Sequence, residues 1–157
     1  MLATPTLTYR TIDPDADARV SVNAYLEACR ASYEGDDSPF PGRKKHLRWL
    51  AARVEEFPEG HVIAELEGRY VGQMELQVPY GLTTGYVNLY YVAPEYRGRG
   101  YGRQMHAYAE RYFRSWEANG VELHVSKTNG AALAFYRRLG YREVREEGRL
   151  IRMEREL

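Results

Sequence analysis

The most informative run of the chain reads Val92-Ala93-Pro94-Glu95-Tyr96-Arg97-Gly98-Arg99-Gly100-Tyr101-Gly102. It follows residues 86–92, a nearly continuous apolar and aromatic segment that is typical of a central strand covered on both faces. It precedes residues 105–116, where apolar side chains recur at helical spacing. Glycines let a backbone turn tightly and approach a ligand, and the first N–H groups of a helix carry partial positive charge. The run therefore predicts a loop that binds a pyrophosphate group.

Positive charge is concentrated around this loop. Five arginines stand against two glutamates between residues 93 and 115, which gives a local excess of +3. Arg97, Arg99 and Arg103 lie closest to the glycines and are candidate phosphate ligands, although each is also compatible with a solvated surface position. The whole chain has 22 basic and 22 acidic residues and therefore no formal net charge. This balance argues against a nucleic-acid binder.

Length and composition predict one soluble domain. The chain has 157 residues, 44% of them hydrophobic, so we expect a single domain over residues 1–157. No apolar run approaches the roughly 20 residues that cross a bilayer. The segment from Met1 to Tyr9 lacks the basic start and apolar stretch of a signal peptide. We therefore expect a cytoplasmic protein without a membrane partner.

Cysteine and histidine positions do not indicate a metal centre. Cys29 is the single cysteine, which excludes an internal disulfide, and it lies on the apolar stripe of a predicted helix. We therefore expect Cys29 in the core. Three of the four histidines are scattered through the chain without metal-ligand spacing: His46, His61 and His106.

Hydrophobic periodicity predicts an α/β fold in the order β-α-α-β-β-β-α-β-α-β-β. The predicted strands cover residues 7–12, 61–66, 70–78, 86–92 and 121–125, and a C-terminal hairpin turns near Gly148. Apolar stripes predict helices through residues 22–33, 47–54, 105–116 and 131–139. A helix crosses over between strands 86–92 and 121–125, so these two strands are expected to be parallel neighbours.

Three phosphate-binding templates can be compared with the glycine loop. A P-loop needs Gly-Lys-Ser or Gly-Lys-Thr, which the run does not contain. A Rossmann fingerprint needs G-x-G-x-x-G early in the fold, whereas this loop reads G-x-G-x-G and comes late, which disfavours a nucleotide-binding oxidoreductase. The pattern Arg97-x-x-Gly100-x-Gly102, preceded by Val92-x-Pro94, resembles the acetyl-CoA signature of the GNAT N-acetyltransferase superfamily.

A second run resembles the other signature of that superfamily. Residues 129–141 read Asn-Gly-Ala-Ala-Leu-Ala-Phe-Tyr-Arg-Arg-Leu-Gly-Tyr, similar to Asn-x-x-Ala-x-x-Phe/Tyr-Tyr-x-x-Leu-Gly-Phe/Tyr. The two motifs occur in the right order and at the right distance. The resemblance is tight over residues 86–144, whereas residues 13–57 match no motif. It implies a mixed, mostly antiparallel sheet with a central parallel pair, flanked by about four helices.

The resemblance also implies where acetyl-CoA binds. Backbone N–H groups from Gly98 to Arg103 would hold the pyrophosphate, and Tyr90 and Val92 would pair their backbone groups with the pantetheine arm. Asn129 would contact the cofactor and is also a natural helix N-cap. The implied cofactor-binding residues are Tyr90, Val92, Arg97, Gly98, Arg99, Gly100, Tyr101, Gly102, Arg103, Asn129 and Tyr136.

The implied reaction is direct attack of a primary amine on acetyl-CoA in a ternary complex, without a metal. Tyr136 matches the family tyrosine that protonates the leaving sulfur. His124 is a candidate base, since its ordinary pKa suits the task, and its alternative is a partly buried structural histidine. Glu75 is the next candidate base, with an ordinary surface carboxylate as its alternative. In the histone-modifying branch of the superfamily a glutamate stands at the position of Tyr86. The tyrosine puts a mechanism based on that glutamate in doubt for this chain.

The acceptor stays open at this point between a small-molecule amine and a peptide amine. Acidic residues of the loop 34–42 could attract a cationic amine or simply solubilise the loop, and aromatic residues nearby could line an acceptor cleft. These candidates are Glu34, Asp36, Asp37, Tyr33, Phe40 and Trp49. A homodimer is compatible with the family resemblance. A CoA-binding sensor or interaction module without catalysis is the alternative function.

Overall fold

A computed structural model describes residues 3–157, and these form seven strands and four α-helices. The strands are β1 (Thr8–Thr11), β2 (His61–Leu66), β3 (Arg69–Gln77), β4 (Thr84–Val92), β5 (Gly120–Ser126), β6 (Arg142–Glu147) and β7 (Leu150–Glu156). The helices are α1 (Ala18–Ser32), α2 (Arg43–Glu56), α3 (Tyr101–Ser115) and α4 (Gly130–Arg138). The first two residues of the segment considered for a signal peptide lie outside the described residues.

The strands form one sheet in the order β1-β2-β3-β4-β5-β7-β6. Neighbouring strands are antiparallel except β4 and β5, which are parallel as their helical crossover requires. The expected mixed, mostly antiparallel sheet with a central parallel pair and four helices is therefore confirmed. Helix α1 begins earlier than its apolar stripe, because its first turn is polar on the exposed side.

The parallel ladder between β4 and β5 is short. It pairs Thr84 with Gly120, Gly85 with Val121, and Tyr86 with Glu122, and within the described chain it ends there. Beyond Tyr86 the two strands separate and leave a wedge-shaped cleft that opens toward the carboxyl end of β4. The cleft widens in the direction of the glycine loop and the start of α3.

A bulge in β4 accompanies this separation. Leu89 lies opposite Glu75 of β3 while Val87 lies opposite Leu76, so Asn88 is an extra residue in β4. Bulges bend a strand and increase its local twist. They also change which face the following side chains occupy. Asn88 therefore marks the point where β4 turns away from β5.

The two faces of the sheet are covered by different helices. On one face α3 and α4 pack over a large core that includes Met74, Val87 and Leu123. On the other face α1 covers Leu89 and Tyr91, and α2 covers a smaller cluster at the β1–β2 side. The cleft between β4 and β5 is therefore accessible from two chemically distinct faces. None of the helices within residues 3–157 is long and apolar enough to cross a membrane.

Candidate active site in the cleft between β4 and β5

The glycine loop is built around two left-handed residues. Gly98 has φ +74° and Gly100 has φ +87°, a region where a side chain is strained. Gly100 is the N-cap of α3, and the first helical bond runs from the Gln104 N–H to its carbonyl at 3.3 Å. The N–H groups of residues 101–103 therefore have no partner inside the helix and point out of its start. This arrangement forms an anion-binding site on the backbone.

The side chains of the loop serve different purposes. Tyr101 is buried in the core, so its contribution to the site comes from its backbone. A Cβ at Gly102 would lie 3.3 Å from the Phe135 ring of α4, so this glycine allows α3 and α4 to approach each other. Arg99 and Arg103 are exposed beside the anion-binding N–H groups. The guanidinium of Arg99 lies 6.0 Å from the centre of the Tyr96 ring, and both arginines are close enough in sequence to the loop to be candidate phosphate ligands.

Arg97 also reaches the backbone of β4. Its Nε donates a hydrogen bond of 2.7 Å to the Val92 carbonyl, and its guanidinium lies 5.7 Å from the centre of the Tyr91 ring. Arg97 is otherwise exposed. It therefore joins the glycine loop to the last residue of β4.

The cleft-facing edge of β4 presents backbone groups as the sequence implies. The Ala93 N–H donates to the Val71 carbonyl on the β3 side at 2.8 Å. Because backbone groups alternate along an antiparallel strand, those of Tyr90 and Val92 point to the opposite edge, into the cleft. Three of these four groups remain available, since the Val92 carbonyl accepts from Arg97. An extended ligand arm could pair with this edge as an added strand.

Helix α4 forms the wall of the cleft on the α3 face. Asn129 caps the helix, because its Oδ1 accepts from the Ala132 N–H at 3.1 Å, which confirms the predicted cap. Tyr136 is 9% exposed, and its ring lies 6.2 Å from that of Tyr90. Burial raises the pKa of Tyr136 well above its ordinary value. Its hydroxyl therefore stays protonated at neutral pH and can act only as a proton donor there.

Glu75 lies under α1 rather than on the surface, so its interpretation as a surface carboxylate is wrong. It is fully buried and accepts hydrogen bonds from Gln73 Nε2 at 3.0 Å and from Asn88 Nδ2 at 3.4 Å. Ser21 of α1 donates in turn to Gln73 Oε1 at 3.1 Å. Burial raises the pKa of Glu75 to about 7, against the opposing effect of its two hydrogen bonds. The Glu75 carboxyl thus fixes the side chain of the bulge residue Asn88 on the α1 face of the sheet.

His124 lies on the face of β5 opposite to the α3 core, as predicted. Leu123 and Val125 are buried in that core, so His124 faces the α1 side. Its Nδ1 is 2.7 Å from the Tyr86 hydroxyl of β4, and its Nε2 is 2.6 Å from a carboxylate oxygen of Glu147. Sequence patterns do not identify Glu147, because its position depends on the registers of β5 with β7 and of β7 with β6.

A cavity of about 580 Å³ lies beside Tyr86 at the narrow end of the cleft. The polar residues that line it are Glu122, Gln77, Thr83, Thr84 and Tyr86. Its lining includes no cationic side chain. The cavity is therefore suited to a ligand that is positively charged or rich in hydrogen-bond donors.

The acidic loop between α1 and α2 is held by arginines. Asp36 lies 3.3 Å from Arg149 of the β6–β7 turn, and Asp37 lies 3.0 Å from Arg30. Arg149 also lies over the Tyr33 ring at 5.5 Å. These contacts tie the loop to the hairpin that carries Glu147. They leave the two aspartates partly neutralised rather than free to attract an amine.

Phe40 and Trp49 belong to an aromatic cluster around His46, a buried histidine whose pKa is lowered by burial. Cys29 is buried, as predicted. In the part of the chain that the structure describes, no group of three or more His, Cys, Asp or Glu side chains could hold a metal ion.

Comparison with known proteins agrees with the motifs. The family model described as the acetyltransferase (GNAT) family matches residues 22–141. The chain belongs to this family. The match includes both the glycine loop and the α4 motif, and it reaches back into α1.

Other GNAT proteins share the sequence and the fold at a distance. An uncharacterized N-acetyltransferase of Methanocaldococcus jannaschii is 28% identical over 147 residues, covering 88% of this chain. The chain spans 62% of the length of that relative. The PaiA N-acetyltransferase of Thermoplasma acidophilum, solved with coenzyme A, has a TM-score of 0.80 at 17% identity, covering 97% of this chain and 99% of that one.

A spermidine N-acetyltransferase of Vibrio cholerae, solved with CoA and spermine, has a TM-score of 0.76 at 19% identity. The superposition covers 96% of this chain and 95% of that one. At these identities the solved structures show the GNAT fold. The substrate of this chain has to be argued from its own site.

Proposed function

We propose that this GNAT protein transfers an acetyl group from acetyl-CoA to a primary amine by direct attack in a ternary complex. The observation that carries the proposal is the cleft between β4 and β5. One end of it meets the anion-binding N–H groups of the glycine loop, while Tyr136 lies beside Tyr90 on the α3 face and His124 lies beside Tyr86 on the α1 face. This arrangement matches an anionic, extended thioester with an acid and a base on its two sides.

Acetyl-CoA would enter with its pyrophosphate at the start of α3. Arg99 and Arg103 would add charge-assisted hydrogen bonds there. The pantetheine arm would run along the edge of Tyr90 and Val92, as an added strand does, and this direction carries its thiol end toward Tyr86. Backbone N–H groups along this edge would also stabilise the oxyanion that forms on attack.

The chemistry needs a neutral amine and a protonated leaving group. Tyr136 would donate its proton to the departing sulfur, because its hydroxyl is kept protonated by burial. His124 would receive the proton of the amine on the α1 face. Glu75 has a pKa near 7, but it is enclosed by Gln73 and Asn88, so it would hold the bulge of β4 rather than contact the amine.

The cavity beside Tyr86 favours a small cationic amine as the acceptor. Its lining offers a carboxylate, which Arg152 approaches to 3.7 Å from outside the lining, and several hydrogen-bonding groups. The Vibrio cholerae neighbour was solved with spermine. Polyamines therefore belong in a first acceptor panel, beside simple alkylamines, aminoglycosides and peptides with a free amino terminus.

The test is release of free CoA from acetyl-CoA by the purified protein across this panel. We expect release with at least one primary amine, together with an acetylated product of the expected mass. Tyr136→Phe should lower kcat by about 100-fold while the Kd for CoA changes less than threefold. Binding of CoA without release on any amine would favour the sensor or interaction module, and absence of CoA binding would overturn both functions.

A further inference from the structure

His124 is not free to accept a proton from an incoming amine directly, because both of its ring nitrogens already have partners. Nδ1 is 2.7 Å from the Tyr86 hydroxyl, and Nε2 is 2.6 Å from Glu147. An amine could reach Nδ1 only by displacing a half-buried tyrosine from its hydrogen bond. The proton path to His124 therefore has to pass through one of these partners.

The positions of the protons follow from the chemistry of the three groups. The Arg145 guanidinium, 2.7 Å from Glu147 Oε1, and the His124 ring both lower the pKa of Glu147, so this carboxylate is ionised and only accepts. Nε2 of His124 therefore carries a hydrogen, and in the neutral imidazole Nδ1 has the lone pair that faces the Tyr86 hydroxyl. Burial raises the pKa of Tyr86, whose hydroxyl stays protonated and donates to Nδ1.

Of the three hydrogen-bonded residues Tyr86, His124 and Glu147, Tyr86 is the one at the acceptor cavity. Tyr86 is among the residues that line the cavity of about 580 Å³, whereas His124 and Glu147 are absent from the lining. It is also the last residue of β4 paired with β5, so it stands at the narrow end of the cleft, where the thiol end of the pantetheine arm would arrive. An amine that approaches the thioester from the α1 face therefore meets the Tyr86 oxygen first.

We propose that Tyr86 is the catalytic residue that takes the proton from the acceptor amine, while its own proton passes to His124 and Glu147 holds the resulting imidazolium. The proposal rests on the proposed acetyl transfer and assigns its proton path. Tyr86 touches the reacting amine. His124 stores the proton, and Glu147 is a positioning residue that acts through His124.

The transfer is balanced at every atom. One N–H bond of the alkylammonium breaks and an O–H bond forms at the Tyr86 oxygen. The original O–H bond of Tyr86 breaks and an N–H bond forms at His124 Nδ1. The amine keeps the electron pair and attacks the thioester, and the positive charge moves to the imidazole. Tyr86 is neutral before and after the transfer, so its raised pKa is no obstacle. The side chains of His124 and Glu147, which are 23% and 33% exposed, would return the proton to solvent.

Other charged groups also lie near Tyr86, His124 and Glu147. Arg152 of β7 lies opposite His124 in the β5–β7 register and 3.7 Å from Glu122, which shares the α1 face of β5 with His124. The titratable and charged groups on the strands around His124 are Tyr86 of β4, Glu122 of β5, Arg145 and Glu147 of β6, and Arg152 of β7. Tyr25 of α1 and Tyr33, directly after α1, face Tyr86. Two carboxylates oppose two guanidiniums there, and Glu147 is the one in contact with the imidazole.

The kinetic test uses the amine that the wild-type protein acetylates best in the panel, at saturating acetyl-CoA. We expect Tyr86→Phe to lower kcat/KM for the amine by about 100-fold at pH 7. The loss should shrink as the pH approaches the pKa of the amine, because the amine then arrives without its extra proton. Tyr80→Phe is the matched control, since Tyr80 is fully exposed and loses the same hydroxyl.

Two further variants separate the relay from a structural role. Glu147→Gln should lower kcat by about tenfold while the KM for the amine changes less than about twofold, because the imidazolium formed in the transfer loses the carboxylate that holds it. Tyr86→Phe/His124→Gln should be no slower than either single variant, since residues that act as a unit are not additive. A structural defect would raise KM as well as lower kcat and would add in the double variant.

The outcomes distinguish the two proposals. If the wild-type protein acetylates no amine, the proposed function fails and the relay fails with it. If the wild type is active but Tyr86→Phe keeps its activity with an unchanged pH profile, only the relay is overturned. Nitrogen-15 NMR of the free protein gives an independent check, since a hydrogen on Nδ1 of His124 would reverse the direction of the Tyr86 bond and overturn the relay. A melting temperature and CoA affinity within error of wild type confirm that each variant is folded.

Discussion

Glu75 shows how a charged residue type can be fully buried inside a strand when it has hydrogen-bond partners. Its carboxyl bonds Asn88 at the bulge of β4, and Gln73 links it to Ser21 of α1. Alternation along β3 predicts its polar face from the sequence. Its burial cannot be predicted in this way, because it depends on α1 lying over that face. Strand periodicity therefore predicts correctly which face Glu75 occupies. The surface interpretation is wrong because it leaves out the packing of α1 over that face.

The buried carboxyl gives stability a measurable pH dependence. The pKa of about 7 in the folded state lies above the ordinary glutamate value of 4.5, so this contribution is fully present below about pH 4.5 and is lost as pH rises through about 7. In the Glu75→Gln variant the side-chain amide stays neutral over this whole pH range. We expect the unfolding free energy of the variant, relative to wild type, to rise by on the order of 3 kcal/mol between pH 5 and pH 8.

Urea unfolding of both proteins at each pH measures this difference. The comparison with wild type is needed because His61, whose pKa burial lowers to about 4, has the opposite pH dependence. Glu55→Gln, at an exposed position of α2, is the control and should show no such change. A difference between Glu75→Gln and wild type that is the same at pH 5 and pH 8 would show that Glu75 titrates normally.

At the scale of elements, the glycine loop and α4 could be predicted well because their function fixes their local sequence. Left-handed backbone at Gly98 and Gly100 and the cap at Asn129 each require a particular residue type. The bulge at Asn88 and the arrival of Glu147 beside His124 could not be predicted. Both depend on strand register, which is set by partners far away in the chain.

The glycine loop allows a matched test of its backbone. Gly98 and Gly148 both have positive φ, at +74° and +62°, and a Cβ at either would meet nothing within 4 Å. Alanine at either position should therefore cost about 1 kcal/mol of stability through backbone strain alone. Only Gly98→Ala should also weaken CoA binding, by about tenfold, because it displaces the N–H groups at the start of α3.

Isothermal titration with CoA and thermal unfolding of both variants would measure these effects. Gly148 lies in the β6–β7 turn, outside the loop, so its variant controls for the strain itself. Equal CoA affinity in the two variants would mean that the loop backbone does not hold the cofactor.

At the scale of the molecule, neutrality conceals an uneven distribution of charge. The formal net charge is zero, yet the loop and α3 carry an excess of +3, and residues 1–60 carry eight basic against ten acidic residues. The sheet is also divided into two parts, since a ladder of only three residue pairs joins β1–β4 to β5–β7. That β4 and β5 are parallel neighbours follows from the helical crossover between them. The opening between the halves does not, because it is produced by the bulge and by sheet twist.

This divided sheet predicts where cofactor binding stabilises the protein. A CoA arm paired with β4 would bridge the two halves, so CoA at 100 times its Kd should add about 2.7 kcal/mol of stability. For a chain of this length that corresponds to a rise in melting temperature of roughly 5–10 °C. Hydrogen exchange should slow at the Tyr90 and Val92 amides, which face the cleft. The Ala93 amide already bonds Val71 and serves as the internal control. A similar thermal rise with NAD, or slowing at Ala93 without slowing at Tyr90 and Val92, would contradict a pantetheine arm on this edge.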